Sequence, residues 1–330
     1  MKQDNNNSTK QSFFITIILV LLALTLLLFP AKCSVGVKLG INIALYSLIP
    51  AILPFMIFSN YVIQSGYSEQ IGKMVHPLFH KLFKTSTNGS YAVLIGFLCG
   101  YPLGAKIICD LIKNNKISLK EGSYLFKFAN NPSLAFILCY AAPISFPDTF
   151  SKISALFLIY VPSVVIGIIS STEDFTDINR NNTVMNNGFH LPFSKVIDDS
   201  IFNALLTTVR LTGYIMLFSI LSTLISDIPF LSYTVKIIIP CLLELTSGIY
   251  QISISNLMDL SKFILTIIFS ILGGMSVLFQ ISSIINSVSD NNCNKNDNTY
   301  HLNISSYIKY KLFSILLCIV FFLINVSITT

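Results

Sequence analysis

Apolar residues gather in long runs separated by short basic or polar connections. Stretches with little or no charge occupy 13–29, 40–63, 128–146, 153–171, 201–226, 263–286 and 307–328. Each is close to the ~20 residues that cross a bilayer as a helix. The first ends at Pro30 and has Lys2 and Lys10 before it. It is longer than a typical signal-peptide core, and no small-x-small cleavage site follows directly, so it reads as a span. Two further apolar segments are interrupted. Residues 91–112 are broken by Gly100, Pro102 and Gly104, and residues 237–256 by Glu244, Thr246, Ser247 and Gly248. A broken helix strands backbone N–H and C=O groups, which hydrocarbon tolerates only if the break is buried in protein or faces a wet cavity. Both segments therefore read as re-entrant hairpins. The mixed apolar and basic segments 66–88 and 113–127 read as amphipathic helices on the cytoplasmic surface.

The lysines test this arrangement. With the N-terminus inside and neither hairpin crossing, only Lys32, Lys38, Lys152, Lys236 and Lys262 face outward, Arg210 stays within a span, and the other basic residues fall on the cytoplasmic side. That is the bias expected of cytoplasmic loops. A full crossing by 91–112 would put the basic segments 73–84 and 113–127 on opposite sides. The expected fold is thus an all-α polytopic membrane protein with about seven spans and two hairpins.

An internal repeat is visible. Met56-Ile57-Phe58-Ser59 matches Met216-Leu217-Phe218-Ser219, the break at Cys99-Gly100 matches Ser247-Gly248, and Asn130–Phe136 matches Gly273–Phe279, in the same order. An odd number of crossings separates the halves, so they insert as inverted repeats, each with a broken hairpin. Paired broken helices in inverted repeats are the pattern of secondary transporters, with the cargo site near the bilayer midplane. The expected organisation is a tail and first helix (1–39), a first repeat (40–171), a polar Asn-rich linker (172–195), a second repeat (196–288), and a polar loop with a last helix (289–330).

Composition narrows the function classes. Of 330 residues 53% are hydrophobic and 11% charged, less than half of the roughly 25% charged typical of soluble proteins. Mean hydropathy is +0.71. The formal charge of +6 comes without a basic stripe interleaved with aromatics, so nucleic acid is not an expected partner; the lipid bilayer is. The seven cysteines form no C-x-x-C pair, which argues against a disulfide framework and a zinc site. His76 and His80 are spaced i, i+4, but no carboxylate or cysteine completes a ligand set, so they read as solvated. No HExxH, GxSxG or P-loop pattern occurs. No catalytic residue, cofactor or metal is expected, and the protein reads as no enzyme.

The stretch Gly96–Leu138, GFLCGYPLGAKIICDLIKNNKISLKEGSYLFKFANNPSLAFIL, resembles the signature of the YlbJ-type sporulation integral membrane proteins, which carry nucleoside-recognition, or Gate, domains. The G-x-x-x-G-Y-P-x-G-A-K and N-N-P-S elements stand in the family's order, and the likeness runs from about residue 40 to the C-terminus. The resemblance implies a multi-pass protein in the cell membrane or outer forespore membrane of a spore-forming bacterium. It further implies transport of dipicolinic acid from the mother cell toward the forespore, with no catalytic chemistry. Transport of a nucleoside or other small metabolite stays the alternative. So does a non-transporting scaffold of spore-envelope assembly, acting in an oligomer or with other sporulation membrane proteins.

Dipicolinate is a planar ring with two carboxylates, so its site needs cations or N–H dipoles beside a flat wall. The tip Gly100-Tyr101-Pro102-Leu103-Gly104-Ala105-Lys106 offers backbone amides at Gly100 and Gly104, a helix N-terminus near Pro102, a ring at Tyr101 and an ammonium at Lys106; alternatively the glycines only pack the hairpin and Lys106 snorkels. Asn130, Asn131 and Ser133 flank Pro132, either to bind cargo or to cap and repair the broken helix. Gly273, Gly274, Ser276 and Gln280 are the expected opposite wall, with Thr246, Ser247 and Gly248 at the second break. Arg210 and Glu244 lie deep in apolar runs, where a charge needs a cavity or a partner. They either pair with each other or act in transport, the arginine on an anion and the carboxylate on a proton. Asp198 and Asp199 favour the N-terminus of the span beginning at 201.

Overall fold

The computed structural model describes residues 16, 20, 23–146, 152–171, 173–177, 192–289 and 302–329. Every regular element among them is helical. In chain order these are α1 (Pro30–Ile43), α2 (Ile49–Gln64), α3 (Ser68–Phe83), α4 (Thr87–Cys99), α5 (Leu103–Lys113) and α6 (Leu119–Leu125). They continue with α7 (Leu134–Ser145), α8 (Lys152–Ile169), α9 (Phe193–Ser226), α10 (Tyr233–Leu243), α11 (Leu245–Ser253), α12 (Asp259–Leu272), α13 (Gly274–Ser289) and α14 (Ile304–Thr329). Four stretches are long and apolar enough to cross a membrane: α8, α9, Asp259–Asn286 and Ile304–Ile324. The chain is a multi-pass membrane protein.

Two runs expected as single spans are divided. Within 40–63 a wide π-helical turn, Ala44–Leu48, joins α1 to α2. Within 128–146 the helix starts only at Leu134 and carries a second such turn, Ile137–Ala141. Each precedes a proline, Pro50 and Pro143, whose ring clashes with the carbonyl four residues back; widening the turn accommodates the clash. About half of the run 13–29 lies outside the described residues, as does most of 287–303. Helix α9 begins at Phe193 behind Pro192, so Asp198 and Asp199 sit beyond its first turn rather than at its N-terminus.

Glycines set the closest contacts. Gly36 and Gly40, one turn apart on α1, lie against α9: an added Cβ would come within 2.6 Å of Ile220 Cα and 2.7 Å of Met216 Cα. Such small-xxx-small contacts let membrane helices approach to backbone distance. Gly104 of α5 faces Gly96 of α4, and Gly248 of α11 lies so close to α10 that an added Cβ would come within 2.3 Å of Cys241 Cα. The helices on either side of each break therefore fold back on one another. Replacing Gly248 with alanine is expected to destabilise the detergent-solubilised protein by about 1–3 kcal/mol, the cost of overpacking a tight contact; a thermal unfolding scan measures it.

Two buried apolar clusters result, one centred on α4 and α5 and the other on α10 to α12. Tyr101 packs against both.

A polar clasp closes the surface segments. Ser86 caps α4 by accepting from Gly89 N, and the Glu121 carboxylate of α6 accepts from Ser86 N (2.8 Å) and Ser86 Oγ (2.9 Å). Asp177 accepts from Thr87 N and Oγ1 (2.8 and 2.6 Å), pairing the start of the linker with the same helix end. His80 meets Asp174 at 3.5 Å and donates from Nδ1 to the Thr85 carbonyl (3.0 Å), while His76 bonds Ser90. Burial pushes the Glu121 carboxyl up to about 7, outweighing the two hydrogen bonds from Ser86. The folded state thus holds this proton more tightly than the unfolded chain. The associated stability is full below the ordinary value of 4.5 and is lost as pH rises through about 7. Glu121→Gln is expected to flatten that slope, worth about 3 kcal/mol at full extent, in unfolding scans between pH 5 and 8.

Candidate functional site

The chain breaks converge on one cavity of about 530 Å³, within the usual range of roughly 300–1,000 Å³ for small-molecule sites. Its walls come from both halves of the chain. The first half supplies Tyr101 and Pro102 at the α4–α5 break, Ser133, Phe136, Cys139 and Tyr140 from α7, and Tyr46 from the π turn. The second supplies Glu244, Leu245 and Thr246 at the α10–α11 break, and Ser276, Val277 and Gln280 from α13.

Each break forms for a local reason. Helix α4 stops at Gly100, whose φ of +72° suits glycine, and a Cβ there would lie 2.3 Å from Ser133 N. Tyr101 N then donates to the Asn131 carbonyl (2.7 Å), turning its ring into the cavity, where its hydroxyl donates to Ser270 O (3.0 Å). Helix α10 stops at the extended residue Glu244. The Glu244 carboxylate folds over the start of α11, accepting from Thr246 N (3.1 Å) and Ser247 N (2.7 Å). Acceptors are favoured there by the unpaired amides and the helix dipole. Gly273 and Gly274, with φ of +83° and +74°, break the 259–286 stretch and start α13 beside Tyr101.

The unwound segment 128–133 is held from behind. Asn130 Oδ1 accepts from Ala105 N (3.2 Å), so a side chain of the protein itself occupies one of the amides at the start of α5. Asn131 Nδ2 donates to Phe128 O (2.7 Å), and its Oδ1 accepts from Ser163 Oγ (2.7 Å) and Lys311 Nζ (2.9 Å). Tyr160 donates its hydroxyl to Pro132 O (2.7 Å), and Ser133 Oγ caps α7 by accepting from Phe136 N.

Of the residues singled out in the sequence, Tyr101, Pro102, Ser133, Glu244, Thr246, Ser276 and Gln280 line the cavity. Gly100, Gly104, Gly248, Gly273 and Gly274 shape the backbone around it, and Ser247 bonds back to Glu244. Asn130 and Asn131 stand one layer behind. Lys106 pairs with Asp110 one turn along α5. Arg210 is exposed on α9 while Glu244 is buried, and no ion pair joins them among the described residues. Among the described residues Glu244 is the one charged side chain in the lining. The π-turn residues Tyr46, Cys139 and Tyr140 went unread in the sequence; the signal for them was Pro50 and Pro143, and such turns recur at functional sites.

Comparison with known proteins agrees with this picture. Residues 45–147 match the Gate family, described as nucleoside recognition. The chain is also 24% identical over 238 residues to the sporulation integral membrane protein YlbJ of Bacillus subtilis (strain 168), a match covering 67% of this chain and 58% of that protein. The chain thus matches less than two-thirds of the length of that relative. No solved structure matches. The resemblance drawn from Gly96–Leu138 holds, and the Gate match takes in both the α4–α5 break and the Asn131 segment.

Proposed function

We propose that the protein is a transporter in a membrane of a spore-forming cell, with this cavity as its cargo site and dipicolinic acid as its cargo, moved from the mother cell across the outer forespore membrane. The observation that carries the reading is one cavity walled by broken helices from both halves of the chain. In it, residues 40–171 and 196–288 act as inverted repeats whose hairpins enter the bilayer from opposite faces, so that rocking one half against the other exposes the cavity to either side. Tyr46, Tyr101, Phe136 and Tyr140 provide the flat apolar walls that a pyridine ring needs, with Gln280, Ser276 and Thr246 as polar contacts. The sporulation relative supports the cellular setting.

Charge qualifies how such a cargo binds. A carboxylate beside Glu244 is repelled unless one of the two carries a proton, as in any close carboxylate pair. Dipicolinate then binds only in the state of the pair that holds that proton, rather than as a bare dianion beside a bare carboxylate. A second reading, transport of an uncharged heterocycle such as a nucleoside, is favoured by the lack of any lysine or arginine in the lining among the described residues.

The test is counterflow of labelled dipicolinate and of labelled nucleosides in proteoliposomes, beside dipicolinate assays of spores from a clean deletion strain. Dipicolinate exchange and dipicolinate-poor spores are expected. Exchange of nucleosides alone would move the assignment to the second reading, and no exchange of either with normal spores would leave a scaffold.

A further inference from the structure

Lys311 lies inside the span Ile304–Ile324, is 3% exposed, and has no carboxylate within ion-pair distance among the described residues. Its contacts are Asn131 Oδ1 at 2.9 Å and the face of the Tyr307 ring at 5.4 Å. An ammonium carries three N–H donors, and one amide oxygen plus one ring face compensate its buried charge only in part. A charge held this way at membrane depth costs several kcal/mol and marks a functional group by default.

We propose that Lys311 is a proton-binding site that couples proton movement to cargo movement, with Asn131 relaying its charge state to the cavity. The relay is short. The same Asn131 holds Lys311 through its side chain and Tyr101 N through its carbonyl, and Ser133, two residues on, lines the cavity. A protonated Lys311 draws the Asn131 amide oxygen toward α14. A neutral amine releases it to Ser163, the other donor on that oxygen. The unwound segment is therefore free to shift with Tyr101 and Ser133 when the proton leaves. The chemistry balances as ammonium to amine plus one proton released to the side then open.

The surroundings are otherwise neutral. From α14 the titratable neighbours are Tyr307 and Tyr310, the latter capped by Lys127 Nζ at 5.2 Å, and from α8 there is Tyr160. Helices α8 and α12 carry charge only in their first turns, at Lys152, Asp259 and Lys262, and α13 carries none. Buried hydroxyls on α12 and α14 (Thr266, Ser270 and Ser314) have no protein partner, and the Ser270 carbonyl accepts from the Tyr101 hydroxyl. Ser314 follows Lys311 by one turn, on the same helix face.

The inference rests on the transport reading, and the experiment separates the two. Wild-type protein in proteoliposomes is given dipicolinate, or whichever cargo exchanges, with and without a pH gradient of one unit. Such a gradient drives about tenfold accumulation per coupled proton. Wild type is expected to accumulate cargo and to carry protons, read by a trapped pH dye. Lys311→Met and Lys311→Arg, the second keeping a fixed charge, are expected to retain cargo exchange but lose the accumulation. Exchange in wild type with no response to the gradient, or gradient-driven accumulation by both variants, overturns the coupling role and leaves transport standing. No exchange in wild type overturns both. Should the methionine variant misfold, the arginine variant decides.

Discussion

Asn131→Leu is expected to abolish the folded protein, with a loss on the order of 4 kcal/mol or more. The change removes the acceptor of Lys311 Nζ and Ser163 Oγ and the donor to Phe128 O in one step. Stripping a buried charge of its partner costs about 3–5 kcal/mol, and each polar group left unpaired adds about 1–3 kcal/mol. The variant should aggregate on solubilisation or unfold far below wild type in a thermal scan. Asn131→Asp keeps an acceptor, gives Lys311 a carboxylate and loses only the donor to Phe128 O, so it should fold with an intermediate penalty. Equal stability of the leucine variant and wild type would mean that the unwound segment is not held as described.

The second large effect concerns Glu244. Glutamine at this position removes the one carboxylate in the cavity lining among the described residues and retains an acceptor for one of the two amides that the carboxylate now serves. Stability should fall by about 1 kcal/mol, the usual worth of one such bond. Binding of a dianion at alkaline pH should rise by tenfold or more, because two unit charges about 5 Å apart repel by roughly 3 kcal/mol at an effective dielectric of 20. Binding of an uncharged nucleoside should not change. Equilibrium binding of both cargoes at pH 6 and pH 8 reads this directly. An unaltered pH profile for dipicolinate would place the cargo away from Glu244.

The breaks were legible in the sequence because glycine, proline and polar residues have few other reasons to interrupt an apolar run. Gly100 and Glu244 end their helices where the pattern places them, and Ser133, Ser276 and Gln280 lie on the cavity. Depth and direction were not legible. Lys106 and Arg210 were singled out by position in an apolar run, yet one has its own aspartate a turn away and the other points outward. In the sequence Lys311 counts with the basic residues on the cytoplasmic side, although it lies within the run 307–328. Only tertiary packing places the Asn131 amide beside it. The π turns at 44–48 and 137–141 likewise depend on how a proline clash is absorbed, by kinking, breaking or widening the helix, and the residues alone do not choose among these.

The most direct test of the cavity as cargo site is protection of a single cysteine. In a cysteine-free background, a cysteine at Thr246 should react with a small membrane-permeant thiol reagent, and saturating dipicolinate should slow that reaction, with a nucleoside doing so under the second reading. Substitution of Ser276 from the opposite wall should behave alike. A cysteine at either position that reacts at the same rate with and without every cargo that exchanges would contradict the account.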